Sequence, residues 1–166
     1  MKKKLLALFV AIISVAAILA FAGCGNNGGN GESKNANVVL DVEKVAFTAS
    51  NDYIALSTST SVKNYLDALA ENGEIKYAAN DGFITSFFNT ASKVISSTVN
   101  SYEGYDWAFY IDFTTLEGDD AIYATDYKTI EYGGKTLYSS SNGVAGTPCI
   151  DGHLYVFVYE YSNFSW

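Results

Sequence analysis

Residues 102–113 read YEGYDWAFYIDF, and the rest of the predicted fold is arranged around them. The stretch starts with a short acidic segment that contains glycine, and from Trp107 it continues with seven residues rich in aromatic side chains, a composition typical of a β-strand. Side chains alternate between the two faces of a strand. One face carries Trp107, Phe109, Ile111 and Phe113, and the other carries Ala108, Tyr110 and Asp112. We predict that the apolar face is buried and that Tyr110 and Asp112 are exposed to water or to a ligand.

The neighbouring segments predict further strands around one amphipathic helix. Val62, Tyr65, Leu66 and Leu69 fall at helical spacing. Candidate caps at residues 58–61 precede them and Asn72-Gly73 follows, which predicts a helix of about three turns lying on the sheet. Strands are predicted at residues 38–47 and 53–56 as a hairpin, at residues 74–78 and 83–88 on either side of the turn Asn80-Asp81-Gly82, and at residues 153–161.

The strand at residues 153–161 is apolar on both faces, so we predict a central position in the sheet. The Ser/Thr-rich residues 89–101 are interpreted as a surface loop with some helix, and residues 114–146 as a region that can add a hairpin. Hairpin, helix and then further strands is the order of an α+β domain, with one main helix packed on a β-grasp-like mixed sheet. Residues 38–166 are long enough for one such domain with one core.

The N-terminus predicts export and anchoring. A basic start, residues 1–4, precedes the uncharged apolar residues 5–22 and then Gly23-Cys24, the pattern of a lipoprotein signal peptide spanning residues 1–23 with Cys24 lipidated. The alternative is a permanent transmembrane anchor, because the apolar run is close to the minimum spanning length. Both interpretations place the domain on the extracytoplasmic face of the bacterial cell membrane. The Gly/Asn-rich residues 24–37 are predicted to be a flexible linker.

The charge balance disfavours negatively charged partners. Residues 1–23 hold three lysines and no acid, so the remainder has seven Lys against 18 Asp plus Glu, a formal charge of 7 − 18 = −11, and the chain has no Arg. A negative surface without guanidinium groups disfavours nucleic acid and anionic surfaces. Neutral or cationic partners are expected.

No catalytic residue, metal ligand or cofactor is predicted. Cys149 is interpreted as a small buried strand residue. The one histidine, His153, would lie roughly 13 Å away if both stood on one strand, whereas a nucleophile and its base need about 3 Å. The acidic residues 117–126 lack the EF-hand pattern and are interpreted as a solvated loop. An enzyme is therefore the least favoured interpretation.

Three runs resemble a known family: residues 82–87 (GFITSF), residues 107–112 (WAFYID), and residues 143–148 followed by 151–157 (DGHLYVF). Together they resemble the transcobalamin-like C-terminal domain family, the β-rich domain of vertebrate intrinsic factor and transcobalamin and of many bacterial surface lipoproteins. The resemblance extends over roughly residues 38–161. It implies a lipid-anchored extracytoplasmic binding module for a cobalamin-like or other neutral, flat small molecule.

Two functional hypotheses follow. A small-molecule site would use tyrosine rings with polar tips on an open face, and its candidate residues are Tyr110, Asp112, Tyr105, Tyr102 and Phe83. The alternative is a cell-surface interaction or adhesion module that contacts a protein or a glycan and has no small-molecule ligand. A concave aromatic cluster would favour the first hypothesis, and a flat aromatic patch the second.

Overall fold

The computed structural model describes residues 38–41 and 43–166. The predicted signal peptide (1–23), the linker (24–37) and the lipidation at Cys24 lie outside the described residues. The strands are β1 Val38–Asp41, β2 Lys44–Thr48, β3 Tyr77–Asn80, β4 Phe83–Phe87, β5 Thr90–Ala91, β6 Lys93–Ser97, β7 Ser101–Ile111, β8 Ala124–Tyr132, β9 Lys135–Ser140 and β10 Leu154–Ser165, and the helices are α1 Val62–Glu71 and α2 Gly143–Gly146. No helix within the described ranges is long and apolar enough to cross a membrane.

The described residues form an α+β fold dominated by antiparallel sheet. A seven-stranded sheet has the order β1-β2-β10-β7-β9-β8, with β6 also paired to β7, and a second sheet has the order β3-β4-β5. Every strand pair among the described residues is antiparallel, so the predicted mixed sheet is wrong. The physical reason is that α1 does not return the chain to a parallel neighbour of β2, but leads into the separate small sheet.

Local sequence signals were sufficient to predict helix α1 and the turn between β3 and β4. Ser61 caps α1 and shares a capping box with Asn64, and Asn72 forms the C-cap, as predicted. The turn between β3 and β4 uses Asp81 and Gly82, both with positive φ, as a two-residue hairpin requires.

Two segments differ from their predictions. The first hairpin is β1–β2 within residues 38–48, whereas residues 53–56 form a loop in which the Leu56 amide donates to the Asn51 side chain. Residues 89–101 contain the strands β5 and β6 instead of a loop with some helix. Pairing of β6 with β7 decides this, a contact that local composition does not encode.

The apolar face of the aromatic strand is buried as predicted. Trp107 packs edge-on against Phe87 of the small sheet at 5.0 Å, and Phe47 stacks on Tyr65 of α1 at 5.1 Å. Helix α1 and the small sheet therefore cover the same face of the large sheet, and this layer forms the larger core.

The opposite face of the large sheet is also buried. The hairpin β8–β9 pairs with β7 only at Tyr110 and Ile111, and Leu137 of β9 packs with Tyr110 and Val156 in a second apolar cluster. Tyr110 is 0% exposed, so the predicted exposure of this residue is wrong, because the hairpin folds over it. Strand β10 contributes to both clusters and pairs with both β2 and β7, which confirms its predicted central position.

Candidate functional site

One part of the large sheet extends beyond both cores. Strands β7 and β10 stay in register from Tyr155 paired with Ile111 to Ser165 paired with Ser101, but β2 accompanies β10 only as far as Val158. We call the extension, residues 93–106 and 160–166, the aromatic ribbon. It contains all of β6, the first half of β7 and the end of β10.

Aromatic side chains occupy both faces of the ribbon. On one face Tyr105 lies 5.5 Å from Tyr161, and on the other Phe164 lies 5.2 Å from Tyr102 and 5.6 Å from Trp166, measured between ring centroids. Tyr105 is 39% exposed and Trp166 is 67% exposed. The rings therefore form a partly exposed row on each face of the sheet.

Two tyrosine hydroxyl groups of the ribbon donate hydrogen bonds to carboxylates of the ribbon. Tyr102 donates to Asp106 at 2.6 Å, and Tyr161 donates to Glu103 at 2.9 Å. Burial and the bond to Asp106 raise the pKa of Tyr102 to about 12. The ring of Tyr102 lies across Gly104, where an added Cβ would come within 2.6 Å of the Tyr102 hydroxyl oxygen. The glycine therefore permits the ring to lie flat along the strand.

The five residues predicted to bind a ligand do not form one site. Tyr102 and Tyr105 lie in the ribbon on opposite faces, whereas Tyr110 is buried under the β8–β9 hairpin. Phe83 is exposed, beside the turn between β3 and β4. Asp112 follows β7, with a side chain that is 4% exposed, so its predicted exposure is also wrong.

Asp112 joins three segments of the fold. Lys135 of β9 donates to its Oδ2 atom, and Nδ1 of His153 lies 2.7 Å from its Oδ1 atom. Burial alone would raise the pKa of Asp112, but the hydrogen bonds from Lys135 and His153 outweigh burial and hold this pKa below its ordinary value. Because both of its oxygens are bound, the carboxylate links the end of β7 to β9 and to the residue before β10.

The contact between Asp112 and His153 is one that sequence reasoning missed. The two residues are 41 positions apart. The signal that could have found them is that the strand before Asp112 and the strand after His153 are both long and rich in aromatic side chains. Pairing these two strands in antiparallel register brings the end of one beside the start of the other.

A shallow groove lies beside this carboxylate. It has a volume of about 270 Å³ and is lined by Ala46, Thr48, Tyr132, Lys135 and Leu154, among others. Small-molecule sites usually occupy about 300–1,000 Å³. The groove is therefore smaller than a usual small-molecule site.

In the described part of the chain, the Cys149 thiol is inaccessible and the acidic side chains do not form a metal site. Cys149 is fully buried, though outside any strand, and burial raises the pKa of its thiol to about 12. The residues described by the structure hold no group of three or more His, Cys, Asp or Glu side chains placed to bind a metal ion.

No family model, curated protein or solved structure matches this chain.

Proposed function

We propose that this chain is a lipid-anchored, non-enzymatic binding module of the bacterial cell surface, which engages a macromolecular partner through the aromatic ribbon. The observation that carries the proposal is the ribbon itself: an exposed sheet surface with aromatic rings on both faces. Exposed apolar patches on soluble domains mark interaction surfaces. Aromatic residues are also enriched at the centres of protein interfaces.

The composition of the ribbon favours a neutral or cationic partner. Residues 94–102 and 161–166 contain no charged side chain, and the whole chain has a formal charge of −8. Interface centres are depleted of charge, while the field of an acidic chain repels anionic partners.

The position of the ribbon suits a tethered module. Val38, where the proposed linker joins the domain, pairs with Phe47, which pairs with Tyr155 of β10. The ribbon tip at Ser165 lies ten residues further along β10, roughly 33 Å at the rise of a strand. Val38 and the ribbon tip therefore lie toward opposite ends of the large sheet, so the proposed linker joins the domain far from the ribbon tip.

The transcobalamin-like resemblance belongs to this proposal, because that family implies binding rather than catalysis. Capture of a cobalamin-like molecule stays a prediction. It draws less support than the macromolecular partner, because Tyr110 and Asp112 are buried and the groove beside Asp112 is small.

The test is retention of the protein on cell envelopes. The purified protein, coupled to beads through its N-terminus, is incubated with envelopes of the bacterium that produces it. Replacing Tyr105 and Phe164 together by Ser should reduce retention by about thirtyfold, the effect of losing a central aromatic contact. Tyr127→Ser is the matched control, because Tyr127 is a 93% exposed tyrosine outside the ribbon.

Equal retention of the double variant and the control would refute the ribbon as the contact surface. Equilibrium dialysis against cobalamin tests the other hypothesis. Retained cobalamin that is insensitive to the ribbon substitutions would favour small-molecule capture.

A further inference from the structure

Where β10 passes the end of β2, the backbone groups on its outer edge have no partner among residues 38–41 and 43–166. The amide of Tyr159 donates to the carbonyl of Glu43 on the β2 side, at 2.8 Å, and the amide of Trp166 donates to Asn100 on the β7 side, at 3.1 Å. Backbone groups alternate in direction along a strand. The amides and carbonyls of residues 161, 163 and 165 therefore point outward, and β2 has already ended at Lys44. Among the described residues, no strand pairs with this edge.

The two edges of the ribbon differ in how well they are protected. Strand β6, on the other edge, begins with Lys93 and has a register shift between Val94 and Ser96, features that discourage pairing with another chain. On β10 the register with β7 is continuous through residue 165, and residues 161–165 contain neither proline nor a charged side chain. Such an edge is a template for an added strand.

The charges around this edge decide which kind of strand fits. Glu43 is exposed at the point where β2 ends, and the ribbon carries Glu103, Asp106 and Glu160 against one cation of its own, Lys93; Lys128 of β8 forms an ion pair with Glu160 at 2.6 Å, which leaves three acids against Lys93. A second copy of this acidic chain would bring like charges together. A strand with Lys or Arg side chains would instead meet opposite charge.

Resting on the proposed binding function, we propose that the outer edge of β10 at residues 161–165 binds an extended, cationic peptide segment of the partner as an additional β-strand. Backbone hydrogen bonds supply the affinity of such a contact, and side chains alternating on the two faces supply the selectivity. The exposed rings of Tyr161 and Phe164 would flank the added strand on opposite faces.

The test uses the full chain and a fluorescent peptide of alternating Lys and Val, with fluorescence anisotropy as the readout. Asn163→Pro removes one outward amide and spares the amides that face β7, since proline is tolerated on an edge whose N–H faces solvent. Asn163→Ala is the matched control, because it loses the same side chain and its bond to Tyr161 but keeps the amide. We expect the proline variant to bind about tenfold more weakly than the alanine variant.

Two further peptides separate strand pairing from charge. A backbone N-methylated version of the Lys-Val peptide cannot pair as a strand and should not bind, a result that does not depend on whether the proline variant folds. A version with Glu in place of Lys should bind at least about tenfold more weakly at low salt. Equal affinity of the proline and alanine variants, or of the Lys and Glu peptides, would overturn the proposal.

The remaining outcomes distinguish this proposal from the proposed function. Sedimentation that shows a dimer lost in Asn163→Pro would assign the edge to a second copy and overturn the cationic peptide. If the Tyr105 and Phe164 substitutions abolish envelope retention while Asn163→Pro leaves it intact, strand addition fails and the binding function stands. If neither affects retention, both proposals fail.

Discussion

Two tyrosines of strand β7 provide the sharpest test of the structure. Tyr110 is 0% exposed, packs in the second apolar cluster and donates to Oε1 of Glu160 at 3.0 Å. Replacing a buried aromatic side chain by alanine costs about 3–5 kcal/mol, so Tyr110→Ala should lower the free energy of unfolding by that amount. Tyr105 is partly exposed and its main contacts are ring contacts with Tyr159 and Tyr161. Loss of such pairs costs about 0.5–1.5 kcal/mol.

Urea unfolding followed by tryptophan fluorescence measures both values, since Trp107 lies in the larger core. Tyr110→Phe separates the hydroxyl from the ring and should cost about 1.5–3 kcal/mol, because the lost hydrogen bond is to a carboxylate. If Tyr110→Ala destabilises the protein no more than Tyr105→Ala, the second face of the sheet is not buried and the placement of the β8–β9 hairpin over it is wrong.

Three further predictions concern single sites. Asp112→Asn should lower the free energy of unfolding by about 1–2 kcal/mol at neutral pH. Because folding lowers the pKa of Asp112, this difference in stability should shrink below the ordinary pKa of 3.8 and vanish once the pH falls through the pKa of the folded state. Urea midpoints measured along a pH series will show this. Gly143→Ala should destabilise the protein far more than Gly152→Ala. Both glycines have positive φ, but only a Cβ at residue 143 would lie 2.6 Å from the Gly82 carbonyl oxygen. Thermal melts of the two variants test this difference. Cys149 should react with a thiol reagent only under unfolding conditions, because its thiol is buried; fast labelling in native buffer would contradict that burial.

Much of the fold could be predicted because its signals are local. The helix α1 has apolar residues at helical spacing between a serine cap and Asn72-Gly73, and the β3–β4 turn has Asp81-Gly82. The central position of β10 follows from its two apolar faces, because a strand that is apolar on both sides must be covered on both sides. None of these inferences needs knowledge of a distant contact.

The candidate site depended on distant contacts instead. Alternation along residues 107–113 correctly separates the two faces of the aromatic strand, but it cannot say whether a later hairpin covers the polar-looking face. That covering buries Tyr110, and Lys135 and His153 enclose the side chain of Asp112, while the length of β10 beyond β2 leaves Tyr105 and Phe164 exposed. The residues that share a face of a strand can be read from the sequence, because backbone geometry fixes the side-chain period. Which of those faces meets solvent cannot be read in this way, because burial depends on segments that are far apart in the chain.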